Sequence, residues 1–535
     1  MTSNSPGHDG TASPPPSART CDVAVVGGSA AGLAAALQLV RQRRSVLVVD
    51  DGTPRNAPAA HMHGFLGHDG LPPGDLVARG REEVRGYGGE VLTGRVLGIG
   101  TGPDGGFDLA LTGGNRLRAR RVLVATGIVD ELPDIPGLAQ RWGRQVIHCP
   151  FCHGYEVRDR RVVQIVTSPA GLHPTPLVRH LTDRLTVVLH DGAGVDPVAV
   201  RALTESGVPV LEATVARVGD GDDGALVVEL GDGRALPADA VLTGGRFAAR
   251  TSMLEGLGVA TALHPSGLGD VLVADPTGST TVDGVFAAGN VTDPALQVLP
   301  AAAHGSFVGA QIAFSLAAED VATGTRPSGV QAEWDDRYGG TDRVWSANPN
   351  GTLVAELTGT PPGRALDVGA GEGADALWLA ENGWEVTASD VSDRALARIR
   401  AEATRRGTAV ETLHRDVNDL AGLEGRTYDL VSLQYGSFHR TPDQRGLHTL
   451  LDAVATGGML LVVGHAPHRA GEPVDPAERT VLWDPQAYVG IEEIAAAVAA
   501  SGRWRVEVHE TRPRPAGAVS SHHAEDVVFR AVRTA

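Results

Sequence analysis

The stretch that decides the fold is Asp22-Val23-Ala24-Val25-Val26-Gly27-Gly28-Ser29-Ala30-Ala31-Gly32-Leu33. Asp22–Val26 is a short, mostly apolar run, long enough for a strand buried on both faces. An Ala- and Leu-rich helix follows the turn through Gln42, and Ser45–Val49 is a second buried strand ending at Asp50 and Asp51. Gly27 permits the tight turn and Gly32 lets the helix pack close, which brings backbone N–H groups and a helix N-terminus toward a phosphate. Ser29 replaces the second glycine of the usual fingerprint, and its small side chain still allows a backbone approach. Asp50, about 20 residues on, is placed for a ribose hydroxyl. Gly27, Gly28, Ser29, Gly32 and Asp50 are therefore predicted to hold a dinucleotide; an ordinary glycine-rich strand–helix turn is the alternative.

Outward from this unit, strand signals recur at Arg121–Ala125, Arg161–Val166, Leu185–Leu189, Ala240–Leu242 and Val285–Ala288. Around Arg326–Gly329 the composition shifts to Thr, Arg, Pro, Ser and Gly, which predicts a linker over 321–330. A second unit then begins, with strand Ala365–Val368, turn Gly369–Gly373, helix Ala374–Asn382 and strand Glu385–Ser389 ending at Asp390. Strand signals follow at Tyr428–Leu433 and Met459–Val463. Strands alternating with helices make both halves doubly wound α/β. Residues 1–19, rich in Ser, Pro and Gly, read as a disordered tail.

Composition narrows the function. The 535 residues suggest about three or four domains. A net charge of −18 and no basic run argue against nucleic acid as a partner. All 46 basic residues are Arg, so a Schiff-base lysine and a lysine-bearing phosphate loop are excluded. The most apolar long stretch, Val298–Ala318, contains His304, Ser306, Gln311 and Ser315 and makes a poor membrane span. Three cysteines cannot build a disulfide framework, and a cytoplasmic location is expected.

Three further features surround the first turn. Ala125-Thr126-Gly127 closes a strand, Val285-Phe286-Ala287-Ala288-Gly289-Asn290 lies at the far end of the first half, and Cys149-Pro150-Phe151-Cys152-His153-Gly154-Tyr155-Glu156 lies between. Two thiols in a CxxC spacing can close a small disulfide. Zinc needs four ligands, and only His148 and His153 stand beside the two cysteines; inert packing thiols are the remaining alternative. Cys21, in a buried strand, reads as packing.

Over about residues 20–320 these elements resemble the low-molecular-weight thioredoxin reductase flavoproteins. The resemblance implies FAD, with Thr126, Gly127, Gly289 and Asn290 near it and Gln297 facing the isoalloxazine. It implies that Cys152 faces the flavin and Cys149 exchanges with substrate. His153 stands where those reductases carry an acid and is assigned general acid/base. The resemblance also implies a homodimer, and a small dithiol, disulfide or small redox protein as substrate.

Thioredoxin reductases carry a second glycine fingerprint after the CxxC. Here strand Val162–Val166 leads into Thr167-Ser168-Pro169-Ala170-Gly171, with one glycine and a proline that donates no N–H. After the next strand comes His190-Asp191-Gly192, where an arginine cluster would bind a 2′-phosphate; Asp191 would repel one. NADP(H) use is therefore expected to be lost or strongly weakened. This resembles the thioredoxin-reductase-like dithiol oxidases, which use dioxygen and close disulfides in small molecules. A reductase with a divergent nicotinamide pocket is the alternative.

The second unit reads Leu366-Asp367-Val368-Gly369-Ala370-Gly371-Glu372-Gly373. Asp390 is placed to accept ribose hydroxyls, and Asp416 could bind an adenine amine. An NAD site would share the turn and the acid. The upstream segments Trp334-Asp335-Asp336-Arg337-Tyr338, Val344-Trp345-Ser346 and Asn348-Pro349-Asn350 resemble the N-terminal lid of tellurite-resistance and thiopurine-type methyltransferases, within the class I S-adenosylmethionine-dependent group, over about 330–535. The resemblance implies S-adenosylmethionine at Asp367, Gly369, Gly371, Gly373, Asp390 and Asp416, and a small-molecule methyl acceptor. Trp334, Tyr338 and Trp345 form either an aromatic wall for the sulfonium or a packed entry helix. Tyr435 and His439 lie where acceptor contacts usually come, with a surface position the more expected for His439.

The sequence thus predicts an α/β chain. A flavoprotein with two dinucleotide-type domains (20–130 with 248–320, and 131–247) is followed by a Rossmann-like methyltransferase domain (331–535). It predicts no metal. The expected activity is dithiol/disulfide exchange on FAD plus methyl transfer, with S-methylation of a thiol linking the two. The alternatives are an NADPH-dependent reductase coupled to tellurite or selenite methylation, and a redox-sensing flavoprotein without turnover.

Overall fold

The computed structural model describes residues 19–102, 105–221, 224–323, 329–340, 343–419, 423, 425–436, 438–466, 484–515 and 525–535. The tail predicted over 1–19 lies outside them except for Arg19, and so does the centre of the predicted linker, 324–328.

The chain opens with β1 (Arg19–Val26), α1 (Ala30–Arg41), β2 (Val46–Asp50), α2 (Pro73–Gly86) and β3 (Glu90–Thr93). The first sheet runs β3, β2, β1, Arg116–Val124, Phe107–Leu111, Val96–Thr101, with Val285–Ala287 parallel on the outer side of Arg116–Val124. Strand side chains alternate between faces, and β1 shows why its run is apolar throughout. Val23 and Val25 pack with Ala31, Leu33, Ala35 and Leu39 of α1. Ala24 and Val26 pack on the other face with Ile99, Leu109, Leu117 and Val122. The long helix Val298–Thr323 lies against α1 through Gly305 and Gly309, where an added Cβ would fall 2.0 Å from Ala31 O and 2.7 Å from Ala35 O. It is the one helix among the described residues long and apolar enough to cross a membrane, and its Val308, Ile312 and Leu316 are fully buried in the protein.

The second sheet is parallel, in the order Val210–Glu212, Leu185–Leu189, Val162–Val166, Ala240–Thr243, Val146–Ile147. The third runs Val410–His414, Glu385–Asp390, Arg364–Val368, Tyr428–Gln434, Val454–His465, Glu525–Arg533, Trp504–Pro513, its last two pairings antiparallel.

The α/β class stands, with sheets mixed in direction. The antiparallel strands at 96–111, 215–237 and 504–533 were not read from the sequence. Exposed Arg, Asp and Glu interrupt the strands at 215–220 and 504–513, and two glycines break Val96–Thr101, so they lack the continuous apolar run of a strand covered twice. The long helix continues to Thr323 and the next begins at Gly329.

Candidate active sites

The first turn has the geometry its glycines permit. Gly27 adopts φ +103, and a Cβ there would lie 2.5 Å from Ala125 O; a Cβ on Gly32 would lie 1.9 Å from Gly27 O. Neither position accepts a side chain, so α1 starts close to the end of β1. Gly28 N–H donates to Asp50 Oδ1 at 3.1 Å, and Arg81 of α2 pairs with Asp50 Oδ2. Asp50 thus stands at the end of β2, held from two sides.

A solvent-open cleft of about 1340 Å³ starts at this turn. Ser29, Thr126, Gly127, Asn290, Gln297, Cys152 and His153 all line it. Thr126 Oγ1 donates to Arg250 O at 2.7 Å. Asn290 Nδ2 donates to Asp293 O and Leu296 O at 3.0 and 2.8 Å, so its amide nitrogen is spent on the loop and its Oδ1 is the acceptor left for a ligand. Gly289 sits against Ala31. A glycine turn without room for a Cβ, a carboxylate at the β2 end and a long cleft from there to the cysteines fit FAD.

Cys149 and Cys152 flank the start of a single helical turn, Pro150–His153. Both are thiols and half-buried. Interaction with Cys152 holds the Cys149 thiol down to about 6, against burial, with help from the N–H groups of Cys152 and Phe151 and from Gln297. Gln297 Nε2 lies 4.0 Å from Cys149 Sγ. The same Cys149 contact, and burial, push Cys152 up. The pair is therefore asymmetric: its surroundings favour the thiolate on Cys149 over one on Cys152, which lies on the cleft wall.

Burial lowers His153, leaving a neutral imidazole at neutral pH. Its Nδ1 is buried with no hydrogen-bond partner among the described residues. Beyond it, His63 lies 3.5 Å from both Asp69 and Glu156. His148 is brought down to about 4 by burial and by Arg55; it stacks on Trp142 at 5.3 Å. Arg55 is fixed by a two-point pair with Asp130 at 2.7 and 2.8 Å. Arg55, Asp130 and His63 escaped the sequence reading. The dense histidines at 61, 63 and 68 were the available signal. Among the described residues no group of three or more His, Cys, Asp or Glu could hold a metal.

The corresponding turn of the second sheet is built differently. Gln164, 1% exposed, donates from Nε2 to Gly171 O at 2.7 Å. The residues Pro169–Leu172 form a 3₁₀ turn, and the helix after it spans only Thr175–Leu181. Asp191 takes φ +49 and accepts from Thr214 Oγ1 at 2.6 Å.

In the C-terminal domain Asp390 accepts from Gly371 N at 2.8 Å and from Ser392 N at 2.8 Å, and burial raises it. Asp367 is 2% exposed with an orphaned Oδ2; burial and its acidic neighbours Asp375 and Asp390 raise it well above the usual range. Gly369 and Gly373 bracket this turn at φ +69 and +83. Asp416 lies two residues past its strand and accepts from Asn418 N at 2.8 Å. The lid closes over the turn: Trp345 Nε1 donates to Tyr338 Oη at 2.9 Å, and Trp345 N–H donates to Glu372 at 2.8 Å. Asn350 caps Asp375 from backbone and side chain, at 2.7 and 2.5 Å. Trp334 stacks on Tyr338 at 5.9 Å. An orphaned buried carboxylate oxygen, glycines in the turn and aromatic rings above it fit S-adenosylmethionine.

Tyr435 Oη donates to Asp526 at 2.7 Å. His439 is half-buried, with Nε2 3.5 Å from Glu90 of the first domain.

Fold and sites together define a flavin-type oxidoreductase joined to a methyltransferase domain. Residues 21–306 match the pyridine nucleotide-disulphide oxidoreductase family model, and the chain belongs to that family; residues 365–458 match a methyltransferase domain model. The chain is 31% identical over 326 residues to thioredoxin reductase sirT of Leptosphaeria maculans, covering 57% of this chain and 98% of that one. It is 30% identical over 305 residues to thioredoxin reductase tcpT of Claviceps purpurea, covering 55% and 92%. Among solved structures it is similar to HlmI, at 42% identity and TM-score 0.54, covering 58% of this chain and 96% of that one. It is also similar to an oxidoreductase from Agrobacterium tumefaciens, at 36% and 0.52, covering 56% and 99%. The cofactors of the two parts are FAD and S-adenosylmethionine.

Proposed function

We propose that the N-terminal part is an FAD-dependent dithiol oxidase and the C-terminal part methylates a small molecule, with a thiol as the favoured acceptor. The observation that carries the redox reading is the asymmetric Cys149/Cys152 pair, with Cys152 on the wall of the cleft that starts at the Gly27–Gly32 turn. A substrate thiolate attacks Cys149 of the oxidised pair and expels Cys152. The second substrate thiol then displaces Cys149, leaving a substrate disulfide and two protein thiols. His153, neutral and on the cleft lining beside Cys152, takes the proton of the incoming thiol. FAD held along the Gly27–Gly32 turn and this cleft would supply a two-electron acceptor for the reduced pair, with dioxygen, reduced to hydrogen peroxide, as the final oxidant.

What supports oxygen over a nicotinamide is the second turn. Pro169 offers no N–H, Gln164 occupies the Gly171 carbonyl, and Asp191 stands where a 2′-phosphate would need a cation. The names of the relatives favour the second reading, an NADPH-dependent disulfide reductase acting with chalcogen methylation.

On the methyl side, Asp390 and the Gly369–Gly373 turn hold the donor, and the Trp334–Tyr338–Trp345 lid excludes water. A thiolate needs positioning and desolvation rather than a dedicated base. We also infer the domain division 20–130 with 248–320, 131–247 and 331–535, and a cytoplasmic homodimer. Exposed Phe307, Phe314 and Val321, seven residues apart on the long helix, support the dimer.

Anaerobic titration of the flavin band near ~450 nm with NADPH, NADH and a small dithiol tests the proposal. Bleaching by dithiol alone, reversed by air, is expected. Bleaching by micromolar NADPH would establish the reductase. Methylation of O or N acceptors with no thiol, selenium or tellurium product would break the link between the two parts.

A further inference from the structure

Glu90, the first residue of β3, is 1% exposed, and its carboxylate is fully engaged at the join between the flavin and methyltransferase domains. Arg19 Nη1 donates to Oε2 at 2.9 Å and its Nη2 to Oε1. The Tyr488 hydroxyl donates to Oε1 at 2.8 Å, and the Asp484 N–H donates to Oε2 at 3.1 Å. His439 Nε2 stands 3.5 Å from Oε1. Tyr488, Asp484 and His439 all belong to the C-terminal domain.

The exchange is reciprocal. Asp484, 4% exposed, accepts from Arg85 Nε of α2 at 2.6 Å and from Val91 N of β3 at 2.9 Å. The His439 ring lies 4.3 Å from that of Tyr488. It also packs on Gly88, where a Cβ would meet His439 Cβ at 3.1 Å. Burial alone would push Glu90 up; Arg19 and His439 hold it down to about 2. Glu90 and Asp484, both buried, each accept from donors of the other domain, and this exchange joins the two domains, because moving either carboxylate away strands a buried polar group.

Short chains of contact lead from this joint to both nucleotide sites. Arg85 lies one helical turn beyond Arg81, the residue that pairs with Asp50. β3 runs alongside β2, with Thr93 opposite Asp50 and Glu90 opposite Leu47. On the other side, Asn418 Nδ2 donates to His439 O at 3.0 Å, and Asn418 N–H donates to Asp416 Oδ1. From the flavin's ribose acid to the adenine-side turn of the methyl donor, every link is a packed strand, one helix or a hydrogen bond.

We propose that the Glu90–Asp484 joint couples the two nucleotide sites, so that a flavin dinucleotide held at Asp50 tightens the binding of an adenosyl ligand at Asp416. The coupling rests on the assignment of Asp50 and Asp416 to those two ligands. A ribose that engages Asp50 acts on the carboxylate that also holds Arg81, and Arg81 shares α2 with Arg85, the partner of Asp484. Ordering already achieved by one ligand favours the other, and the effect is reciprocal.

The test is calorimetric titration of the full-length chain with S-adenosylhomocysteine, once stripped of flavin and once reloaded with FAD. The loaded protein is expected to bind at least about fivefold more tightly. Arg85→Met and Asp484→Asn are expected to abolish that ratio while each protein still takes up FAD and turns yellow. Tyr488→Phe, which removes one hydrogen bond to Glu90, serves where those variants fail to load, and is expected to shrink the ratio. Equal or weaker binding by the loaded wild type overturns the proposal, as does an undiminished ratio in Asp484→Asn. Absence of binding in both forms overturns the assignment of the methyl-donor site itself.

Discussion

The turns at 27–32 and 167–171 follow inner strands that pair in parallel with both neighbours in their two sheets, and they are built from opposite materials. The first is shaped by what is missing: no Cβ at Gly27 or Gly32, and a carboxylate, Asp50, turned toward its backbone. The second is filled by its own residues, with Pro169 in the turn and the Gln164 amide on the Gly171 carbonyl. The scaffold is shared; the capacity to receive a pyrophosphate is a property of a few turn atoms. A parallel α/β unit therefore says little about ligand until its turn is inspected.

The comparison breaks most visibly at Gly32. Gly32→Ala puts a Cβ 1.9 Å from Gly27 O, an overlap expected to cost about 1–3 kcal/mol and to yield colourless protein. Flavin absorbance per chain after purification is the readout, and a normally yellow Gly32→Ala protein would show that the close approach is not needed.

A smaller effect sharpens the link between the first turn's cleft and the dithiol. With the Cys149 thiol held near about 6, its thiolate is present above that pH and is lost below it. Alkylation of the reduced protein is expected to rise about tenfold per pH unit up to about 6 and to level off above about 7. Cys149→Ser should remove this profile, and bleaching by dithiol with it, while the flavin stays bound. A midpoint near the ordinary thiol value would mean that Cys152 and Gln297 do not stabilise the thiolate.

The smallest effect is expected at the second turn. A Cβ on Gly171 meets Val166 Cγ1 at 3.1 Å, a contact one side chain can relieve. Gly171→Ala should change thermal stability by less than about 1 kcal/mol and leave flavin content and dithiol turnover unaltered. Loss of turnover in this variant would show that the second domain takes part in the reaction.

Much of the site was legible from local pattern. The glycines of both functional turns, the acids at their strand ends and the CxxC all act within a few residues of where they stand in sequence, so spacing alone is informative. Asn290 and Gln297 were legible only through family likeness, since the chain between them and the first turn exceeds any local pattern. Arg55 and Asp130 were not legible at all: they meet across 75 residues to form one half-buried pair beside His148. The antiparallel strands were missed because exposed charges, and in Val96–Thr101 two glycines, interrupt their apolar run.

The sequence by itself determined the two strand–turn–helix units, the spacing of the CxxC and the single glycine of the second turn, because each depends on backbone freedom or on neighbours in the chain. The tertiary structure alone decided the asymmetry of the two thiols and the surroundings of His439. The sequence left that histidine between an acceptor contact and, the more expected, a surface position; the fold half-buries it against Glu90. A charge separated from its partner by hundreds of residues is settled only when two sheets are brought together, and the cost of burying it unpaired then fixes how they meet.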